Sequence, residues 1–91
     1  MKHIFIVNPV SGKGKTGDIV KNIEKVCDEE NLEYEIRYTT KPKEAITIAR
    51  EYEDGEYIIY AVGGDGTLNE VLNGLIDTRN MISTIPIRKR K

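Results

Sequence analysis

An apolar run, Tyr57-Ile58-Ile59-Tyr60-Ala61-Val62, breaks directly into Gly63-Gly64-Asp65-Gly66-Thr67-Leu68-Asn69-Glu70, and this junction restricts the fold more than any other stretch of the sequence. The run reads as a strand. The three glycines leave the turn after it with almost no side-chain bulk, so backbone N–H groups there can approach a ligand closely. Thr67 reads as a helix N-cap, with Glu70 completing a capping box. Leu68, Val71, Leu72, Leu75 and Ile76 then recur at i, i+3, i+4, i+7 and i+8 as one apolar stripe. Strand, glycine turn and capped helix together form an anion site, because the orphan N–H groups and the dipole at a helix start both favour phosphate. Glycines that serve only backbone geometry are the simpler reading of such a turn. Asp65 argues against it. A carboxylate beside a phosphate is repulsive unless it meets Mg²⁺, a cationic side chain or a substrate hydroxyl, so its presence points to phosphoryl transfer.

The rest of the chain supplies a sheet for this junction. Ile4-Phe5-Ile6-Val7 is a continuous apolar strand of the kind buried on both faces in a parallel sheet. After Asn8-Pro9 comes a basic loop, Val10-Ser11-Gly12-Lys13-Gly14-Lys15-Thr16-Gly17, then a helix with Ile19, Ile23 and Val26 on one face. The loop is a second candidate phosphate cradle. Its Gly12, Gly14 and Gly17 satisfy G-x-G-x-x-G, but Thr39-Thr40 stands where the dinucleotide fingerprint wants an acid. A Walker A reading fails because its upstream glycine falls on Pro9, which has no N–H to donate. Tyr34 to Thr39 alternates and predicts a more exposed strand nearer an edge. Pro42 opens a second helix with Ala45, Ile48, Ala49 and Tyr52 as its buried stripe, ended by Asp54-Gly55. A weak fourth strand spans Ile82 to Ile87. The order β-α-β-α-β-α-β predicts a three-layer α/β/α, Rossmann-like parallel sheet with helices on both faces. Ligands of such sheets bind beyond the carboxyl ends of the strands. Asn8 to Lys15, Thr39-Thr40 and Gly63 to Asn69 would therefore share one rim.

A length of 91 residues fits one small domain, and a net charge of −1 argues against nucleic acid as a partner. The single cysteine, Cys27, excludes an internal disulfide, fits a reducing cytoplasm, and reads as a buried hydrophobe. No apolar run approaches the ~20 residues of a membrane span, so membrane contact would be peripheral, at an inner face. His3 reads as structural, since no second histidine, cysteine pair or carboxylate cluster marks a metal site.

Asn8-Pro9 with Ser11-Gly12-Lys13-Gly14, then Thr39, then Gly63 to Val71 resemble the opening half of the diacylglycerol kinase catalytic domain, shared by bacterial lipid kinases and by sphingosine and ceramide kinases. The resemblance implies a site for ATP with Mg²⁺, and transfer of the γ-phosphate to a lipid hydroxyl. Carried across by position, Asn8, Ser11, Gly12, Lys13, Gly14, Thr39, Gly63, Gly64, Asp65, Gly66, Thr67, Leu68 and Asn69 would bind the nucleotide, with Thr40 the alternative to Thr39. Asp65 would be catalytic, as a base or by ordering Mg²⁺. Residues 1–87 would form the nucleotide-binding unit and Arg88-Lys89-Arg90-Lys91 a basic tail. The family's second, β-rich domain, which carries the lipid site, has no counterpart here, so the resemblance implies a truncated unit with little activity of its own. Two rival readings remain open: a non-catalytic α/β module that forms a homodimer or binds a regulatory partner, and a kinase of a soluble acceptor such as NAD.

Overall fold

The computed structural model describes residues 2–9, 15–74 and 81–86. In it four parallel strands carry three helices in the order β1 (Lys2–Val7), α1 (Lys15–Glu29), β2 (Tyr34–Tyr38), α2 (Glu44–Arg50), β3 (Tyr57–Gly63), α3 (Asp65–Gly74) and β4 (Met81–Pro86). The sheet order is β2-β1-β3-β4. The α/β class, the strands and the edge position of β2 follow the sequence expectation. Ile87 and the basic tail lie outside the described residues, as do Leu75 and Ile76 of the expected helix stripe.

The two apolar strands sit at the centre because their side chains have partners on both faces. From β1 and β3, Ile4, Ile6, Ile59 and Ala61 face Ala45, Ile48, Ala49 and Tyr52 of the α2 segment and Val71 of α3. Phe5, Val7 and Val62 face the other way, onto Val20, Ile23 and Cys27 of α1. Ile4, Ile6 and Ile59 are fully buried, each contributing about 1.5–3 kcal/mol to the core. This arrangement moves two expected stripe members. Val26 is 53% exposed and Leu72 is 44% exposed. On α1 the buried set is Val20, Ile23 and Cys27, a small rotation from the expected face. That helix stops by a left-handed residue: Asn31 has φ 57°, and the Leu32 N–H reaches back to the Cys27 carbonyl at 2.8 Å.

Two details fix the helices on the α2–α3 face. An added Cβ at Gly74 would stand 2.8 Å from the Ile46 carbonyl oxygen and 2.9 Å from Ala49 Cβ, so glycine permits α3 to touch α2 there. Beyond the end of α2, Tyr52 is 7% exposed and donates its hydroxyl proton to Glu35 Oε1. The same hydroxyl accepts from Arg37 Nη1 at 2.9 Å, while the Arg37 guanidinium forks onto Glu51 at 2.8 and 3.0 Å. The Arg37–Glu51 pair is partly solvated and stabilises little; the buried tyrosine is the anchor that ties this segment to β2.

Burial, and then the Glu35 hydrogen bond, push the Tyr52 hydroxyl up to about 12. A raised tyrosine keeps its proton more tightly when folded, so its contribution is complete below pH ~10 and is lost as pH climbs toward the folded value. Denaturant titrations of the parent and of Tyr52→Phe should show the variant about 1 kcal/mol weaker at neutral pH. The parent should then lose stability more steeply than the variant as the solution is made alkaline. Parallel curves would remove the hydroxyl from the account.

Candidate functional site

Strand order alone locates a crevice. The chain leaves β1 in one direction to form β2 and returns past it to form β3, so the connections after β1 and β3 diverge at their carboxyl ends, the place where such sheets bind ligands. Ladder bonds hold the three strand ends in line. The Asn8 N–H donates to the Val62 carbonyl at 3.0 Å, and the Thr39 N–H donates to the Val7 carbonyl at 2.9 Å. A cavity of about 480 Å³ opens here, lined by Asn8 after β1, by Thr39, Thr40, Lys41, Pro42 and Ala45 after β2, and by Gly64, Gly66, Thr67 and Glu70 after β3. That size falls in the range of small-ligand pockets.

The glycine turn divides its labour. Gly63 is structural: a Cβ there would lie 2.6 Å from Thr67 Oγ1 and 3.0 Å from Thr67 Cβ. Gly64 and Gly66 have nothing within 4 Å of an added Cβ. They line the cavity, and it is open space that a side chain would fill. The capping box is not formed as expected. α3 begins at Asp65, two residues before Thr67, and the Gly64 carbonyl accepts from the Thr67 and Leu68 N–H groups at 3.1 and 3.3 Å. Gly64 is thus the flanking residue, Thr67 is buried within the first turn, and Glu70 is free of a capping role and lines the cavity.

Of the residues predicted for binding, Asn8, Thr39, Gly64, Gly66 and Thr67 come together in the cavity. Gly63 is buried and is not in the lining. Leu68 packs against the core, and Leu68 and Asn69 line a separate shallow groove with Gly66 and Leu72. Ser11, Gly12, Lys13 and Gly14 lie outside the described residues. Asp65 is the first residue of α3, two residues after the end of β3. Lys41, Pro42, Ala45 and Glu70 were not foreseen, although the first three follow the predicted Thr39-Thr40 turn on the same rim. Both threonines are engaged: Thr39 Oγ1 donates to the Val7 carbonyl at 3.4 Å, and Thr40 Oγ1 to Glu44 Oε1 at 3.0 Å. Pro42 and Ala45 are the apolar residues of a lining otherwise made of glycine, amide, hydroxyl and charged residues, with Lys41 and Glu70 of opposite sign.

Residues 2–87 match the model of the diacylglycerol kinase catalytic domain. The chain belongs to that family. A diacylglycerol kinase of Bacillus subtilis is 34% identical over 86 residues, covering 91% of this chain and 28% of that protein. Sphingoid long-chain bases kinase 1 of Arabidopsis thaliana is 36% identical over 85 residues, covering 87% of this chain and 11% of that protein. The crystal structure of a diacylglycerol kinase from Bacillus anthracis superposes with a TM-score of 0.68 at 28% identity, over 93% of this chain and 32% of the other. The chain thus spans less than a third of the length of these members of the diacylglycerol kinase family. Among the described residues no helix is long and apolar enough to cross a membrane, and no group of three or more histidine, cysteine or acidic side chains forms a ready metal site.

Proposed function

We propose that this chain is the ATP-binding portion of a lipid kinase, one that presents the γ-phosphate to a lipid hydroxyl of the diacylglycerol type held by parts of the protein beyond these 91 residues. One observation carries the reading: Gly64 and Gly66 leave open space at the head of α3, in the crevice where the connections after β1 and β3 part. Unblocked N–H groups at a helix start favour a phosphate group, and Lys41 in the same lining offers a cation. Mg²⁺ held mainly by nucleotide phosphates takes only one or two protein carboxylates; Glu70 is in the lining, and Asp65 opens α3. When bound, the ion would offset charge on the phosphates. The relatives, a diacylglycerol kinase and a sphingoid-base kinase, favour a lipid acceptor over a soluble one such as NAD. Phosphoryl transfer depends on positioning both reactants, so the 91 residues by themselves should transfer little phosphate.

Calorimetric titration of ATP into the chain, with and without Mg²⁺, tests the proposal. Saturable heat is expected, and tighter binding with the ion. The same titration separates two roles for Asp65. If it orders Mg²⁺, Asp65→Ala removes the ion's effect on affinity; if it serves as a base, the ion's effect persists. No heat at millimolar ATP would remove the nucleotide from this reading.

A further inference from the structure

Thr40, Lys41 and Pro42 in the cavity lining belong to the segment that leads into α2 at Glu44, and regular structure holds little of it. Lys43 lies in the left-handed region at φ 69°, ψ 0°, a strained conformation for a residue with a Cβ, and it caps α2 without any side-chain hydrogen bond. The backbone bonds of the segment are long, 3.3 Å from the Glu44 N–H to the Lys41 carbonyl and 3.2 Å from the Ile46 N–H to the Lys43 carbonyl. A single carboxylate oxygen opposes this looseness. Glu44 Oε1 accepts from the Thr40 N–H at 2.6 Å and from Thr40 Oγ1 at 3.0 Å. Thr40, Lys41, Pro42 and Ala45 line the cavity on either side of Glu44 in sequence, and Glu44 is not among the lining residues.

We propose that Glu44 is a positioning residue, a clasp that holds the Thr40–Lys43 wall, with Lys41 on it, in place against the cavity and so sets ligand affinity through Thr40. The ligand's identity rests on the nucleotide reading above; the clasp itself does not. Both Thr40 donors converge on the one oxygen, Oε1, so a single side chain fixes the backbone and the hydroxyl of Thr40 together. Without it, the wall would have to be ordered by the ligand at each binding event. Ala45, Ile48 and Ala49 would still seat α2 in the core, so the effect belongs to the wall and not to the fold.

Amide hydrogen exchange at Thr40 and Lys41, run beside ATP titrations, tests this on the parent, Glu44→Ala and Glu44→Gln. In Glu44→Ala the Thr40 amide should exchange about tenfold faster and ATP should bind roughly five- to tenfold more weakly, the size expected for ordering one or two side chains. Glu44→Gln keeps an oxygen that can accept both hydrogen bonds and should restore both quantities. Thr40→Val, which removes only the hydroxyl donor, should shift both in the same direction by less, and serves if Glu44→Ala does not fold. Unchanged Thr40 exchange in Glu44→Ala overturns the clasp. Faster exchange with ATP affinity equal to or above the parent's overturns its effect on the cavity; a gain would mean that the carboxylate competes with the ligand for the Thr40 donors. A parent that binds no ATP overturns the nucleotide reading and the effect on affinity with it, while the exchange arm still decides whether the clasp exists.

Discussion

Gly64→Val should abolish measurable ATP binding while the protein stays folded. The added Cβ at Gly64 meets nothing within 4 Å, so the branch point itself creates no clash in the free chain. Its branched side chain would instead occupy the cavity where phosphate oxygens would meet the first N–H groups of α3. Losing two hydrogen bonds to a charged group, at about 1.5–3 kcal/mol each, lowers affinity by roughly a hundredfold or more. Calorimetry should record the loss, and a thermal melt should place the variant within a few degrees of the parent. An unchanged affinity would move the phosphate site away from the glycine turn, and with it the function assigned to the crevice.

One residue earlier the expectation reverses. Gly63→Ala should destabilise the whole domain, because its Cβ would sit 2.6 Å from Thr67 Oγ1 and 3.0 Å from Thr67 Cβ, with Asn8 Cβ at 3.4 Å on another side. Thr67 is 5% exposed and branched at the atom that collides, so no distant side-chain end can swing away. Overpacking of this kind costs about 2 kcal/mol, which for a domain of this size lowers the melting temperature by roughly 10 °C. The cause can be isolated by a double-mutant cycle. Thr67→Ala removes the obstructing atoms, so the Gly63→Ala/Thr67→Ala chain should lose less stability than the two single losses added together. Strict additivity would show that the clash is relieved elsewhere. The adjacent glycines thus separate by readout: one is monitored by ligand, the other by heat.

The architecture could be read from the sequence where residues had little choice. Ile4-to-Val7 and Tyr57-to-Val62 contain no face for water, so they had to become interior strands, and the alternating β2 had to lie toward an edge. Helix faces were harder. Val26 and Val20 both fit a helical stripe, and only the position of Phe5, Val7 and Val62 beneath α1 selects Val20. The misread cap has a similar origin: Thr67 and Glu70 have the spacing of a capping box, but that pattern does not reveal whether a glycine upstream has already begun the helix. With Gly64 in that role, Glu70 turned to the cavity, where sequence had given it a local task. The wall from Thr40 to Ala45 was half foreseen through Thr39-Thr40. What it lacked in sequence was any sign that Lys43 would take a left-handed conformation, which is ordinarily left to glycine or asparagine. The family resemblance rested on the spacing of loop residues, of which Asn8, Thr39, Gly64, Gly66 and Thr67 line one cavity, Leu68 and Asn69 turn to a neighbouring groove, and Ser11 to Gly14 lie outside the described residues.

The contact at Gly74 has a reach beyond its own neighbourhood. α3 runs for 10 residues from the mouth of the crevice to this glycine, a distance of about 15 Å at the rise of a helix. The opposite lip is carried by α2, which Gly74 meets at Ile46 and Ala49. On α2 that contact begins at Ile46, one residue beyond Ala45, which lines the cavity. A methyl group added at Gly74 would therefore press on the backbone beside the lip itself, from a residue that does not line the cavity.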